Sequence, residues 1–137
     1  MPNMQATPPD TADASSPSLP NVEWTVQRRR GLANWQVRRV TAYMSERLDQ
    51  EVGLRELAQL INLSRFHFCT SFRLATGQTP REWLIARRIE RACKLLAQPS
   101  LSITKVGLAV GYATPSAFAA AFHKRMGMTP SEFRRTL

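Results

Sequence analysis

From Asn34 onward the apolar residues recur at helical intervals: Trp35, Val40, Tyr43, Met44 and Leu48 form one stripe before the chain breaks at Gly53. No segment alternates with a period of two, so the pattern predicts an all-α chain with short connections. The longest uninterrupted helix is predicted at 80–98. Pro80 opens it, Pro99 stops it, and Trp83, Ala86, Ile89, Cys93 and Leu96 step along one face.

An internal repeat sets the architecture. Gly77-Gln78-Thr79-Pro80-Arg81-Glu82-Trp83 returns as Gly127-Met128-Thr129-Pro130-Ser131-Glu132-Phe133. Each copy has Gly where a helix ends in the left-handed region, Thr at the next N-cap, Pro in the first turn and Glu at N3 of a capping box. At the same offset Phe68 and Phe72 match Phe118 and Phe122, one turn apart on a single face. Upstream, Leu57-Ala58 matches Val106-Gly107, followed by turn formers at Asn62 and Gly111. Each copy therefore reads as a short helix, a tight turn and a capped second helix, which is a helix-turn-helix. The first occupies about 54–76 and the second about 103–126. With the connecting helix at 80–98 and a final helix at 130–136, about seven helices are expected.

Charge narrows the partner. The formal net charge is +9, and 19 Lys and Arg stand against 10 Asp and Glu. Residues 1–20 hold no base but five of the nine prolines, and are expected to be a disordered tail; 21–34, with Arg28-Arg29-Arg30, is expected to be a basic linker to a domain at 35–137. Such an excess points first to nucleic acid, whose phosphates Arg contacts bidentately, and second to an acidic membrane surface. The predicted 80–98 helix, roughly 28 Å at the standard rise, approaches one turn of B-DNA, roughly 34 Å. No secretory signal and no membrane span are recognisable, so a cytoplasmic protein is expected. Cys69 and Cys93, with only His67 and His123 to join them, have no metal-ligand spacing. No metal, cofactor or enzymatic activity is expected.

Leu57-Ala58, Ser64 to Phe72, Gly77 to Trp83, Arg88-Ile89-Glu90-Arg91-Ala92 and Val110-Gly111-Tyr112 through Phe133 resemble the AraC/XylS family of bacterial transcription regulators. The resemblance runs from about Trp35 to Leu137. It implies two helix-turn-helix subdomains joined by a long helix, sequence-specific binding of double-stranded promoter DNA, and activation through contact with RNA polymerase. Larger members carry an effector or dimerisation domain, for which the residues before the first helix are too few. The chain thus resembles a short stand-alone member or a detached DNA-binding half, expected to bind DNA as a monomer.

With Phe68 and Phe72 turned to the core, the first recognition helix presents Arg65, Phe66, Cys69, Thr70 and Arg73, and the second presents Pro115, Ser116, Ala119, Ala120 and His123. Base readout is expected from Arg65, Phe66, Cys69, Thr70, Ser116, Ala119 and Ala120. Phosphate contact is expected from Ser64, Arg73, Arg88, Thr114, His123 and Lys124. Family members often carry a polar or Arg side chain where this chain has Thr70 and Ala120, and Ala can only pack against a thymine methyl. The first unit is therefore expected to carry most direct readout and the second to anchor phosphates. Phe66 is either a groove-facing wedge or rim packing, Cys69 reads as a spare small residue, and Trp83 and Phe133 read as core. Arg87, Arg88, Arg91 and Lys94 face DNA, a partner protein or water. Competing functions are a DNA binder of low specificity, the DNA-binding part of an alkyl-transfer repair protein, and a basic protein that binds polymerase without DNA.

Overall fold

A computed structural model describes residues 31–137. The expected tail at 1–20 and the Arg28-Arg29-Arg30 run lie outside the described residues. Seven helices and no strands are present among those described: α1 (Asn34–Ser45), α2 (Leu54–Leu60), α3 (Arg65–Thr76), α4 (Pro80–Leu96), α5 (Ile103–Ala109), α6 (Pro115–Met126) and α7 (Pro130–Arg135).

The repeated caps form as their residue types dictate. At α4 the Thr79 hydroxyl accepts from Glu82 N at 3.1 Å while the Glu82 carboxylate accepts from Thr79 N at 2.8 Å. Thr129 and Glu132 repeat both distances at α7. These backbone hydrogen bonds hold the Glu82 and Glu132 carboxyls below the usual carboxylate range. Upstream of each box, Gly77 and Gly127 close α3 and α6 with φ of 82° and 78°. The tight turns use Asn62 at φ 58° and Gly111 at φ 101°.

Two cores result. The first gathers Leu32, Val40, Met44, Leu57, Ala58, Ile61, Phe68 and Phe72, with Trp83 and Leu84 of α4 packed against it. The second gathers Val106, Val110, Phe118 and Phe122 around Ile89, Ala92 and Leu96 from the far half of α4. Helix α4 thus closes the first unit and opens the second. The aromatic ladders repeat as well: ring centroids lie 5.6 Å apart for Phe68 and Phe72, and 5.8 Å for Phe118 and Phe122.

Three details depart from the sequence reading. Trp35, expected in the α1 stripe, is 55% exposed; Leu32, expected in the linker, is buried in its place, with its N–H donating to Ser71 O. Gly31 brings the backbone so close that a Cβ there would stand 2.8 Å from Ala75 N. On α4 it is Ala92 that is buried, with Cys93 half-buried, and the helix stops at Leu96 rather than 98 because the chain turns at Gln98 toward Leu101.

Ala58 and Gly107 occupy the same place in the two units, but only the second is crowded. A Cβ on Gly107 would meet Phe118 Cδ2 and Cγ at 2.9 Å. Overpacking of a fixed ring costs about 1–3 kcal/mol, against roughly 1 kcal/mol gained in helix propensity. Gly107→Ala should therefore lower stability by about 1 kcal/mol in urea denaturation; a midpoint at or above wild type would show that Phe118 yields. The capping boxes predict a pH effect of defined sign. Because both Glu pKa values are lowered on folding, their contribution is present above the ordinary carboxylate range and fades as pH falls through the folded values. Thermal scans through that acid range should show a smaller loss for the Glu82→Gln, Glu132→Gln double variant than for wild type.

Candidate nucleic-acid interface

The second helix of each repeat starts from a hydroxyl cap, and α6 adds Pro115 in its first turn. Ser64 caps α3 by accepting from His67 N at 3.2 Å, and Thr114 caps α6 by accepting from Ala117 N at 3.1 Å. A hydroxyl that accepts retains its proton to donate, so both caps remain able to bond a phosphate oxygen. Within each helix the Phe pair is fully buried and fixes the rotation. The opposite face is thereby fixed too.

That outward face differs sharply between the units. On α3, Arg65, Thr70 and Arg73 are exposed, and Phe66 is 82% exposed, the most exposed large hydrophobic side chain among the described residues. Thr70 donates its hydroxyl to Phe66 O at 3.2 Å, which leaves its oxygen to accept. On α6, Ser116 and Ala120 are exposed in the places of Phe66 and Thr70, and His123 and Lys124 follow them at the surface. Cys69 and its counterpart Ala119 are both half-buried and sit at the edge of the face rather than on it. The permanent positive charge is carried unevenly, by Arg65 and Arg73 on α3 and by Lys124 and Arg125 in the last turn of α6, where His123 also lies.

Arg88, expected at a phosphate, is engaged elsewhere. Its Nε donates to Leu48 O at 2.7 Å and its Nη2 to Gln50 O at 3.0 Å, a fork across the end of the first unit. Arg134 makes a matching fork, from Nε to Leu96 O at 3.0 Å and from Nη2 to Gln98 O at 3.2 Å. Sequence reading missed Arg134. The recurrence of Leu48-x-Gln50 as Leu96-x-Gln98 was the signal that could have found it. Arg87 pairs with Glu90 at 3.3 Å and stands 5.2 Å from the Trp83 ring, whereas Arg91 and Lys94 are exposed. Burial pushes the Cys93 thiol up, with the Glu90 carboxylate adding to it, so this cysteine is held as the thiol. Among the described residues no group of His, Cys, Asp and Glu is placed to hold a metal, and no helix is long and apolar enough to cross a membrane.

Comparison with known proteins bears on this face. A family model described as a helix-turn-helix domain matches residues 57–136. The MmsAB operon regulatory protein of Pseudomonas aeruginosa is 42% identical over 94 residues, covering 69% of this chain and 31% of that protein. Two further curated relatives are covered to 33% and 36%, so the chain spans about a third of the length of such relatives. Among solved structures, the C-terminal domain of AraT, a response regulator from Geobacillus stearothermophilus, superposes with a TM-score of 0.70 at 31% identity, over 74% of this chain and 85% of that one. The DNA-binding domain of AdpA, a global transcriptional factor solved in complex with a target DNA, superposes with a TM-score of 0.69 at 30% identity, over 74% and 91%.

The caps themselves are testable apart from any ligand. Ser64→Ala and Thr114→Ala should each cost about 1 kcal/mol of stability in chemical denaturation, and Gly at the same positions only a few tenths. Equal values for Ala and Gly would show that water replaces the hydroxyl.

Proposed function

Since the chain belongs to the AraC-type helix-turn-helix family of transcription regulators, we propose that it inserts α3 and α6 into successive major grooves of double-stranded DNA and reads them unequally. The observation that carries this is the contrast between two helices capped by the same hydroxyl-to-backbone hydrogen bond and their unlike outward faces. On α3, Arg65 suits bidentate bonding to guanine O6 and N7, Thr70 offers an acceptor, and the exposed Phe66 ring offers apolar contact to a thymine methyl. On α6, Ser116 is the polar reader and Ala120 offers a methyl group alone. The second helix then contributes chiefly phosphate anchoring, through Thr114, His123 and Lys124, and reading of groove shape.

The direction of regulation proposed is activation by contact with RNA polymerase, with the chain acting as a monomer on DNA, since its two units already supply two groove contacts. A DNA binder of low specificity is the second reading, favoured by the Ala-rich second helix, with Ala120 exposed, and by the net charge of +9. The two differ in the ratio of specific to non-specific affinity rather than in salt dependence, because both neutralise phosphates.

Selection of bound duplexes from a random pool, followed by base substitution across the recovered site, tests the proposal. A bipartite site with steeper penalties in one half is expected; equal penalties in both halves overturn the asymmetry, and the absence of any enriched site favours the low-specificity reading. On that site Arg65→Ala should cost about 1–3 kcal/mol and relax discrimination at one base pair. Lys124→Ala should weaken all sequences alike and reduce the salt slope by about 1. Titrations at several salt concentrations separate the two, and a Lys124 variant that changes base preference would contradict its assignment to phosphate.

A further inference from the structure

The geometry points to Arg88 as a positioning residue: its guanidinium is the joint that fixes the second helix-turn-helix unit against the first and so sets the separation at which α3 and α6 meet DNA. This rests on the tandem reading above. Arg88 lies on α4 one turn beyond Trp83 and Leu84, which pack on the first core, and beside Ile85 and Ile89, which serve the second. On one side its planar fork holds the carbonyls of Leu48 and Gln50, beyond the end of α1. On the other side stands the turn of the second unit. The Tyr112 ring centroid is 5.4 Å from Arg88 Cζ. Gly111 is closer still: a Cβ there would fall 2.6 Å from Leu48 O and 2.8 Å from Arg88 Cζ and Nη2. Leu48 O therefore takes the Arg88 hydrogen bond and also fills the space a side chain at Gly111 would need, and Thr114, the cap of α6, follows three residues later.

Arginine suits this place for two separable reasons. Its fork satisfies two carbonyls in a fixed plane, and its flat face accepts an aromatic ring, neither of which an ammonium group reproduces. Gly111 is likewise constrained twice, by φ of 101° and by space. Gly77 and Gly127 have left-handed φ, but a Cβ at either would meet nothing within 4 Å, so only the first constraint acts on them. Arg134 provides an internal control, since its fork to Leu96 and Gln98 ties α7 to α4 within the second unit. A role confined to stability would be shared by both arginines. A role in spacing belongs to Arg88 alone.

The test measures geometry with and without DNA. Spin labels at Phe66→Cys and Ala120→Cys, in a Cys69→Ser, Cys93→Ser background, report the distance between recognition helices by pulsed electron paramagnetic resonance. The expected result is a narrow distribution for the reference chain and for Arg134→Met, a broad one for Arg88→Met, and an intermediate one for Arg88→Lys. Unlabelled chains are then titrated with the selected site at its recovered spacing and with one or two base pairs inserted. The wild type should lose about tenfold in affinity on insertion, and Arg88→Met about threefold or less, with binding to a single half-site unchanged. An Arg88→Met distribution as narrow as the reference overturns the joint. Should Arg88→Met not unfold cooperatively, Arg88→Lys, which loses the planar fork to Leu48 O and Gln50 O but keeps the charge, carries the same comparison, and a distribution as narrow as the reference overturns the joint. A wild type indifferent to spacing overturns the tandem reading instead, and the label distances without DNA still decide the joint.

Discussion

Helix α4 cannot bury its apolar residues in a single core. Trp83 and Leu84 near its start pack on the first cluster, whereas Ile89, Ala92 and Leu96 are enclosed by the second. One continuous run of backbone hydrogen bonds therefore couples the two clusters, over roughly 25 Å at the standard rise. Everything that distinguishes this fold from two independent helix-turn-helix units follows from that sharing. Each recognition helix is oriented by its own Phe pair, but the relation between them passes through a rod that neither unit owns.

The local parts of this arrangement were legible in the amino-acid sequence because their causes are local. A Thr, a Pro and a Glu within four residues suffice to start a helix, and a Gly with positive φ suffices to end one, so the repeated caps at Thr79 and Thr129 are readable without the fold. Phe68, Phe72, Phe118 and Phe122 announced themselves by spacing. What stayed hidden was what joins distant positions. The Arg88 and Arg134 forks span 40 and 38 residues, and nothing near either residue in sequence announces a carbonyl partner, so Arg88 reads as a phosphate contact and Arg134 draws no assignment. Leu32 was misplaced for a related reason: it reaches the core by crossing α3, not by continuing the α1 stripe, so periodicity credited Trp35 in its stead. The candidate readers Arg65, Phe66, Thr70 and Ser116 were placed on their face by the Phe register alone, and the same register put Cys69 and Ala119 there too, although neighbouring packing half-buries both at its margin.

The two units have diverged in different layers. Their caps and aromatic ladders are close copies, yet Ala58 of the first unit corresponds to Gly107 of the second in the core, and Thr70 to Ala120 at the surface. In the core the change makes room: Phe118 lies so near Gly107 that the methyl group of Ala58 has no place there. At the surface it removes hydrogen-bonding capacity. The second unit is thus tighter inside and plainer outside.

Phe66 has a thermodynamic consequence that charge and hydrogen bonding do not share. An aromatic ring 82% in water keeps a shell of hydrating solvent for as long as the protein is held only by phosphate contacts. Enclosing that ring against bases releases the shell, and burial of apolar surface leaves its mark as a negative heat-capacity change. Calorimetry as a function of temperature would then distinguish a protein resting on the backbone from one seated in the groove, even where the two bind with equal free energy.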